Sequence, residues 1–399
     1  MEPASLVTEY DGHSSVLQGG IVGLPVMSSR VVRPRVVHVT TAHPADDVRI
    51  FERECRSLAA SSRYDVYLAA AGSIPVDSGV TLIPFAQAPA SRLGRFSSGP
   101  RKAIGLSRAL SADLWHFHDP ELLPVALKLA RSGTPVIWDA HEDYVAQFSE
   151  EGGKNWVPGP VRGVVRRGMK AMLEGVDRKA AGVVAATPTI ASRYANSQTV
   201  VVGNEARLEI FAHCTPDFTT RRILFTGNVG PAHLFDAIVD AVVTIPDVTL
   251  AIAGRKPDVG VWAAAEARLG DRIMHLGWLD RLGVASAING AALGLSTYAD
   301  IPTNSENSPN KLFEFCAAGL PVIASPNASN VRFIRESGGG FLADGFSPDA
   351  IARVIRTALS DQAAWRLAST RGREWATRVG SWELSERHLL DLYQQILGV

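Results

Sequence analysis

Residues 200–227 read VVVGNEARLEIFAHCTPDFTTRRILFTG. Before this stretch, short apolar runs alternate with segments of helical period; within it that series stops, and RILFTG (222–227) opens a second one. Working backwards, RVVHVTT (35–41), DVYLAA (65–70), VTLIPF (80–85), DLWHFH (113–118), PVIWDAH (135–141) and GVVAA (182–186) read as buried strands. The helix after the first strand sets Phe51, Cys55, Leu58 and Ala59 on one face. Asp119 before Pro120 reads as a capping carboxylate followed by proline at the first helical position. Working forwards, VTLAIAG (248–254), IMHLG (273–277), ALGLST (292–297) and PVIAS (321–325) continue the second series. Two successive βαβ series predict an α/β protein of two Rossmann-like doubly wound domains with a cleft between them. The boundaries fall at a loose tail over 1–30, a first domain over 31–203, a second over 204–378, and a last segment over 379–399. That segment carries the helix WELSERHLLDLYQQIL, expected to pack back on the first domain.

The bulk composition fits this reading. Of 399 residues, 46% are hydrophobic and 20% charged, the balance of a folded globular chain. Forty basic residues against forty acidic ones leave no basic excess, which argues against a nucleic-acid partner. Cys55, Cys214 and Cys316 lie far apart and form no CxxC pair, so a zinc motif and a disulfide framework are set aside and a cytoplasmic setting is expected. No apolar run is long enough to span a bilayer, and acidic residues precede SVLQGGIVGLPVM (15–27) where a signal peptide needs positive charge.

The chemistry concentrates in NSENSPNKLFEFCAAGLPVIAS, residues 304–325. Ser308 and Pro309 predict an N-cap and a first helical residue, and Gly319 and Pro321 end that helix. A helix start at the carboxyl end of a sheet offers free N–H groups and a positive dipole end, which suits a phosphate. Lys311 in the first turn adds a mobile cation. Glu306, before the helix, and Glu314, inside it, are placed to accept sugar or ribose hydroxyls from two ends of one ligand.

This segment resembles the E-x7-E region of the retaining glycosyltransferases of family GT4, whose GT-B fold sets two Rossmann-like domains face to face. HLGWLD (275–280), LAIAGR (250–255), VVVGNEARLEIF (200–211) and SWELSERHLLDLY (381–393) extend the likeness. In the first domain HPADDVRIFERECRSLA (43–59), ADLWHFHDPELLPVALKLA (112–130) and PVIWDAHEDY (135–144) do the same, so it covers roughly 35–399. The resemblance implies transfer of a sugar from a UDP- or GDP-linked donor to a glycan, a lipid-linked or a small-molecule acceptor. It implies that Glu314 holds the ribose, that Glu306 contacts the donor sugar, and that Asn307, Ser308, Pro309 and Asn310 cradle sugar or phosphates. Gly277 and Trp278 would border the base, and Gly227 the diphosphate. His118 would reach the sugar from the first domain, and His141 and Asp143 would lie near the acceptor. Configuration would be retained by front-side attack, with the departing phosphate taking the acceptor's proton, so that stabilising this phosphate is the central task. No metal and no cofactor are implied, and no DxD-type cation site stands out.

One departure stands in FTGNVGPAHLFDAI (225–238), where Asn228 and His233 occupy positions at which the family carries an arginine and a lysine. Lys311 and Arg255 are the nearest substitutes, with Lys311 the main one. His116 and His118, two apart at the end of a strand, are read as facing opposite ways; His118 is assigned to the cleft and a two-histidine metal site is set aside. His43, in the loop after the first strand, is assigned to the acceptor side.

The stretch 161–179 sets Val161, Val164, Val165, Met169, Met172, Leu173 and Val176 against Arg162, Arg166, Arg167, Lys170 and Lys179. Such a helix either packs on a sheet or rests on an anionic membrane surface, placing the protein at the inner face of the membrane. Two other functions remain in view and a third is set aside. A nicotinamide dehydrogenase would show GxGxxG after the first strand, and VVHVTTAHPADDVRI (36–50) has none. A sugar-nucleotide 2-epimerase and a sugar-nucleotide binder without turnover share the architecture.

Overall fold

The computed structural model describes residues 33–85, 92–141, 159–255, 257–301, 304 and 308–399. The expectations placed on the 1–30 tail, Asp143, Glu306 and Asn307 lie outside the described residues, as do the side chains of Val161 and Arg162.

The first sheet holds β1 (Arg35–Pro44), β2 (Asp65–Ala71), β3 (Val80–Pro84), β4 (Leu114–Phe117), β5 (Val136–Ala140), β6 (Gly182–Ala185) and β7 (Thr199–Val201). Their spatial order is β3-β2-β1-β4-β5-β6-β7, and the pairings are parallel. The second sheet holds β8 (Arg222–Thr226), β9 (Thr249–Ala253), β10 (Ile273–Gly277), β11 (Leu293–Ser296), β12 (Val322–Ala324) and β13 (Gly340–Leu342), in the order β10-β9-β8-β11-β12-β13. Here too the pairings are parallel. The two sheets repeat one winding, and each reverses direction once, between β1 and β4 and between β8 and β11. Those reversals open crevices at the carboxyl ends of the strands, where such sheets bind ligands.

Continuous apolar runs form these strands because a parallel sheet is covered on both faces. Alternate residues therefore serve different cores. Val37, Val39, Trp115, Phe117 and Trp138 meet the helices Leu123–Arg131 and Gly159–Lys179. Val36, Leu114, Ile137 and Val184 face Phe51, Leu58, Trp382, Leu389 and Leu392 on the other side. The helix Trp382–Leu397 is thus the cover of one face of the first sheet, close enough that a Cβ on Gly182 would meet Leu392 at 2.9 Å.

Pro34–Val399 forms one compact unit. The chain passes between the sheets twice, and the two passes are tied: Ala206 pairs with Ser381, and the Trp382 amide donates to the Ala206 carbonyl at 2.9 Å. Residues Val48–Cys55 wind as a π-helix, capped by Asp47, whose carboxylate accepts from the amides of Arg49 and Ile50. The wider winding buries Arg49, Arg53 and Glu54 together with the expected Phe51 and Cys55. In the Gly159–Lys179 helix, Met169, Leu173 and Val176 are buried, whereas Val164, expected on the apolar face, is 63% exposed beside Arg166 and Arg167. No helix among the described residues is long and apolar enough to cross a membrane.

Candidate functional site

Both crevices open onto one cleft. A cavity of about 300 Å³ between the domains is lined by Arg49, His141 and Thr187 from the first and by Tyr298, Ser308, Pro309 and Asn310 from the second.

On the second domain, Gly227, Gly254 and Gly277 end three neighbouring strands, each with positive φ (111°, 158° and 79°). The Gly227 amide donates to the Ala253 carbonyl and the Gly254 amide to that of Gly277, both at 2.8 Å. A side chain on Gly254 would collide with the Gly227 carbonyl, so only glycine lets the two loops approach this closely. Asn228 follows on the exposed tip of the first loop. Arg255 lies over the Trp278 indole at 5.7 Å, and that indole is 69% exposed.

The helix Asn310–Ala318 begins beside these loops. Its N-cap is Pro309, without a side-chain cap hydrogen bond, so the expected Ser308 cap is displaced by one residue. Ser308 instead ties the interdomain link, its carbonyl accepting from Asn204 Nδ2 at 2.9 Å. The first turn of the helix therefore keeps N–H groups that no capping side chain satisfies. Lys311 lies in that turn. Its Nζ sits 3.9 Å from the centre of the Phe225 ring and 5.5 Å from that of Tyr298, with no hydrogen-bond partner. A Cβ on Gly227 would be 3.7 Å from it. Burial lowers the Lys311 pKa to about 7, against the pull of Glu314's charge. His233 is no second cation: burial and the nearby Lys311 both lower its pKa.

Glu314 is 1% exposed and bonded to Arg281, the first residue of the helix Arg281–Ile288. With Arg53 and Arg207 the pair lines a second cavity of about 420 Å³. Arg53 crosses from the π-helix of the first domain, donating to Asn310 Oδ1 and to the Asn204 carbonyl, both at 3.1 Å. Arg53 lies inside the quoted stretch 43–59 and Arg281 directly follows HLGWLD, but no local pattern marks either as a partner of the Asn310–Ala318 helix.

On the first domain, Asp119 departs from its expected part. Its carboxylate makes no cap bond to the following helix. It accepts from Thr40 Oγ1 at 2.8 Å and from the amides of Thr41 and Ala42 at 2.5 and 3.1 Å, fixing the far end of β1, which includes His43 rather than leaving it in a loop. His43 Nδ1 meets its other oxygen at 3.0 Å. Burial opposes charge on His43, but the bond to Asp119 and that carboxylate's charge prevail and raise its pKa to about 9. Burial pushes the Asp119 carboxyl up, yet His43 and the Thr41 amide hold it well below the ordinary range. The His141 ring stands edge-on to His43 at 5.2 Å, so the two assigned histidines share one corner of the cleft.

His118 does not reach the cleft. Side chains alternate along a strand with a period of two, so residues two apart share a face. His116 and His118 accordingly stack, centroids 4.5 Å apart, and both are fully buried. His118 Nδ1 meets Asp139 Oδ2 at 2.9 Å, and its Nε2 meets His38 Nδ1 at 3.0 Å. Tyr393 of the last helix joins His116 Nδ1 at 2.8 Å and His38 Nε2 at 3.1 Å through its hydroxyl. Arg49 grips both oxygens of Asp139, at 3.1 and 2.8 Å, and donates to the Val202 carbonyl at 2.8 Å. Burial lowers the pKa of all three histidines.

Residues 220–361 match the family described as Glycosyl transferases group 1. No curated protein matches the chain. Among solved structures, a sucrose-phosphate synthase (tll1590) from Thermosynechococcus elongatus is 19% identical with a TM-score of 0.70, over 92% of this chain and 100% of that one. Anabaena Alr3699/HepE, solved with UDP-glucose, is 14% identical with a TM-score of 0.67, over 91% and 100%. An α,α-trehalose 6-phosphate synthase from Burkholderia multivorans is 12% identical with a TM-score of 0.62, over 92% and 99%. These likenesses establish the GT-B fold, two facing Rossmann-like domains, for this chain.

Proposed function

We propose that this chain, whose residues 220–361 match the group 1 glycosyl transferases, moves a sugar from a UDP-linked donor onto a hydroxyl acceptor, with retention and without a metal at the transfer step. The observation that carries the reading is the unpartnered Lys311 ammonium beside the open end of the Asn310–Ala318 helix, next to the Gly227 loop. An ammonium and free N–H groups aimed at one point are a counter-charge for a departing diphosphate. Asn228 and His233 bring no fixed charge, so Lys311 takes the part the family gives to two cations. Glu314, held by Arg281, is oriented to accept ribose hydroxyls. Arg255 and Trp278 border the base. Retention follows from front-side attack, the leaving phosphate taking the acceptor's proton.

The acceptor enters from the first domain, where His43 and His141 flank the cleft. UDP is preferred over GDP because the HepE structure holds UDP-glucose. The protein works in the cytoplasm, on a glycan, lipid-linked or small-molecule acceptor. For a lipid-linked acceptor, the exposed Val164, Arg166 and Arg167 are the surface that meets the membrane. Charge reversal at Arg166 and Arg167 then abolishes binding to anionic vesicles.

The test is calorimetric titration with UDP, GDP and ADP in the presence of a chelator, on wild type, Lys311→Ala and Glu314→Gln. Tight binding of UDP that both variants weaken supports the reading, and the anomeric configuration of the product, read by NMR, tests retention. Binding that requires a divalent ion would sink metal independence. The exposed Asn228 in place of a cation favours a second reading, a sugar-nucleotide binder without turnover; UDP bound tightly and no sugar released over any acceptor would select it.

A further inference from the structure

The histidines behind the first sheet do more than fill space. His38, His116, His118 and Glu54 each offer a ligand atom, these lie within 4.8 Å of one another, and all four residues are fully buried. Their surroundings have the form of an outer ligand shell. A metal-bound imidazole uses one nitrogen and gives the other to a fixed partner, often a carboxylate. His118 has Asp139 on Nδ1 and turns Nε2 toward His38 Nδ1. His38 has Tyr393 on its other nitrogen, Nε2. His116 has Tyr393 on Nδ1, which also lies 3.9 Å from Glu54 Oε2, while its Nε2 has no hydrogen-bond partner.

Glu54 completes the set. Neither of its oxygens has a hydrogen-bond partner. Arg49 lies 3.3 Å from it, but the same guanidinium is bound in a fork to Asp139, whose charge it already matches. A negative charge is therefore left over in a sealed polar pocket. A proton could remove it, and burial does push the Glu54 carboxyl well above its usual range. That remedy leaves the new O–H without an acceptor and His116 Nε2 still unpaired, two buried polar groups unsatisfied. A divalent ion would instead take up the leftover carboxylate charge together with imidazole lone pairs.

We propose that His38, His116, His118 and Glu54 bind one divalent transition-metal ion, zinc foremost, as a structural site that fastens the last helix to the first sheet. Three imidazoles and a carboxylate are ligands that suit zinc, and a tetrahedral ion at about 2.0–2.1 Å holds its nitrogens roughly 3.3–3.4 Å apart. The spacing of 3.0 Å between His38 Nδ1 and His118 Nε2 opens by a few tenths of an ångström to admit it. With all four ligands sealed, the ion enters as the chain folds. The site lies behind the strand layer and takes no part in sugar transfer, so it stands or falls apart from the proposed reaction.

The experiment uses the full chain, free of any histidine tag, expressed with zinc in the medium and assayed for metal by plasma mass spectrometry. About one zinc per chain is expected, falling to trace levels in Glu54→Gln and His116→Gln. Wild type refolded with cobalt(II) should show the visible bands of a tetrahedral site. Should either variant fail to fold, the wild-type stoichiometry and cobalt spectrum decide alone. A folded wild type without metal, melting at the same temperature when refolded with or without zinc, would overturn the proposal. So would an infrared carboxylic-acid band, lost in Glu54→Gln, in protein expressed and kept with zinc.

Discussion

Lys311 Nζ lies 3.9 Å from the centre of the Phe225 ring and has no hydrogen-bond partner. The ring face compensates part of the lost hydration, but burial still lowers the pKa to about 7. In the free protein the ammonium is thus only partly charged at neutral pH, and a bound diphosphate would draw the proton back. Nucleotide affinity should fall as pH rises above about 7, by up to about tenfold per unit, until the pKa of the complex is reached. Lys311→Met should bind weakly and lose this slope. Calorimetry from pH 7 to 9 reads both, and a slope unchanged in the variant would place the titrating group elsewhere. The same shift bears on stability with a definite sign. Between about 7 and the ordinary lysine value the unfolded chain binds the extra proton, so this residue's contribution to stability grows with pH over that window.

His43 should behave in the opposite sense. Its pKa is raised to about 9, so its stabilising pair with Asp119 is fully present below the ordinary histidine value near 6.5 and is lost as pH rises through about 9. Its ring proton resonances should titrate near 9 in wild type and well below that in Asp119→Asn. Titration near the ordinary value in wild type would mean that Asp119 serves the β1 backbone alone.

Arg53 joins the domains where the Asn310–Ala318 helix begins, at Asn310 Oδ1 and the Asn204 carbonyl. Arg53→Ala leaves both acceptors without this donor in a buried setting, a loss of about 1–3 kcal/mol for each partner stranded. The melting temperature should drop, and donor KM should rise more than kcat falls, because Asn310 is positioned rather than removed. Lys at this position should restore only part of the effect, since it lacks the fork that reaches two acceptors. Equal donor KM in wild type and Arg53→Ala would confine the residue to a structural part.

Gly182 touches the last helix. A valine there must displace Leu392, which a Cβ would already meet at 2.9 Å. A cost of about 1–3 kcal/mol is expected from overpacking. Trp382→Ala, emptying a fully buried indole from the same layer, should cost about 3–5 kcal/mol. Chemical denaturation measures both, and a neutral Gly182→Val would show that the helix shifts freely on the sheet.

Much of the fold was legible because buried parallel strands are continuous apolar runs, and eleven of them could be picked out. The two that could not, β7 and β13, are edge strands of 3 residues each, too short to show any period. The π-helix at Val48–Cys55 escaped because an apolar spacing of four looks α-helical, while π-winding brings Arg49, Arg53 and Glu54 inward as well. At the site, Lys311, Glu314 and the Gly227 loop stood in a motif with a helix start, which carries its own geometry. Arg53, Arg281 and Asp119 act on residues between 33 and 257 positions away or across loops, and no local pattern encodes such distances. His118 was misassigned for a simpler reason, a strand's period of two taken the wrong way.

The two tied crossings between the sheets set an order of assembly. The chain leaves the first domain by 202–207 and comes back at Ser381, and only then supplies Trp382, Leu392 and Tyr393 to the first domain's interior. During synthesis the domain made first must therefore wait, one face of its sheet covered only in part by the Val48–Ala60 segment, while the domain made second can close. A chain cut before Ser381 would leave Val36, Leu114, Ile137 and Val184 without Trp382, Leu389 and Leu392 over them, so the first domain borrows part of its interior from a segment made after the second.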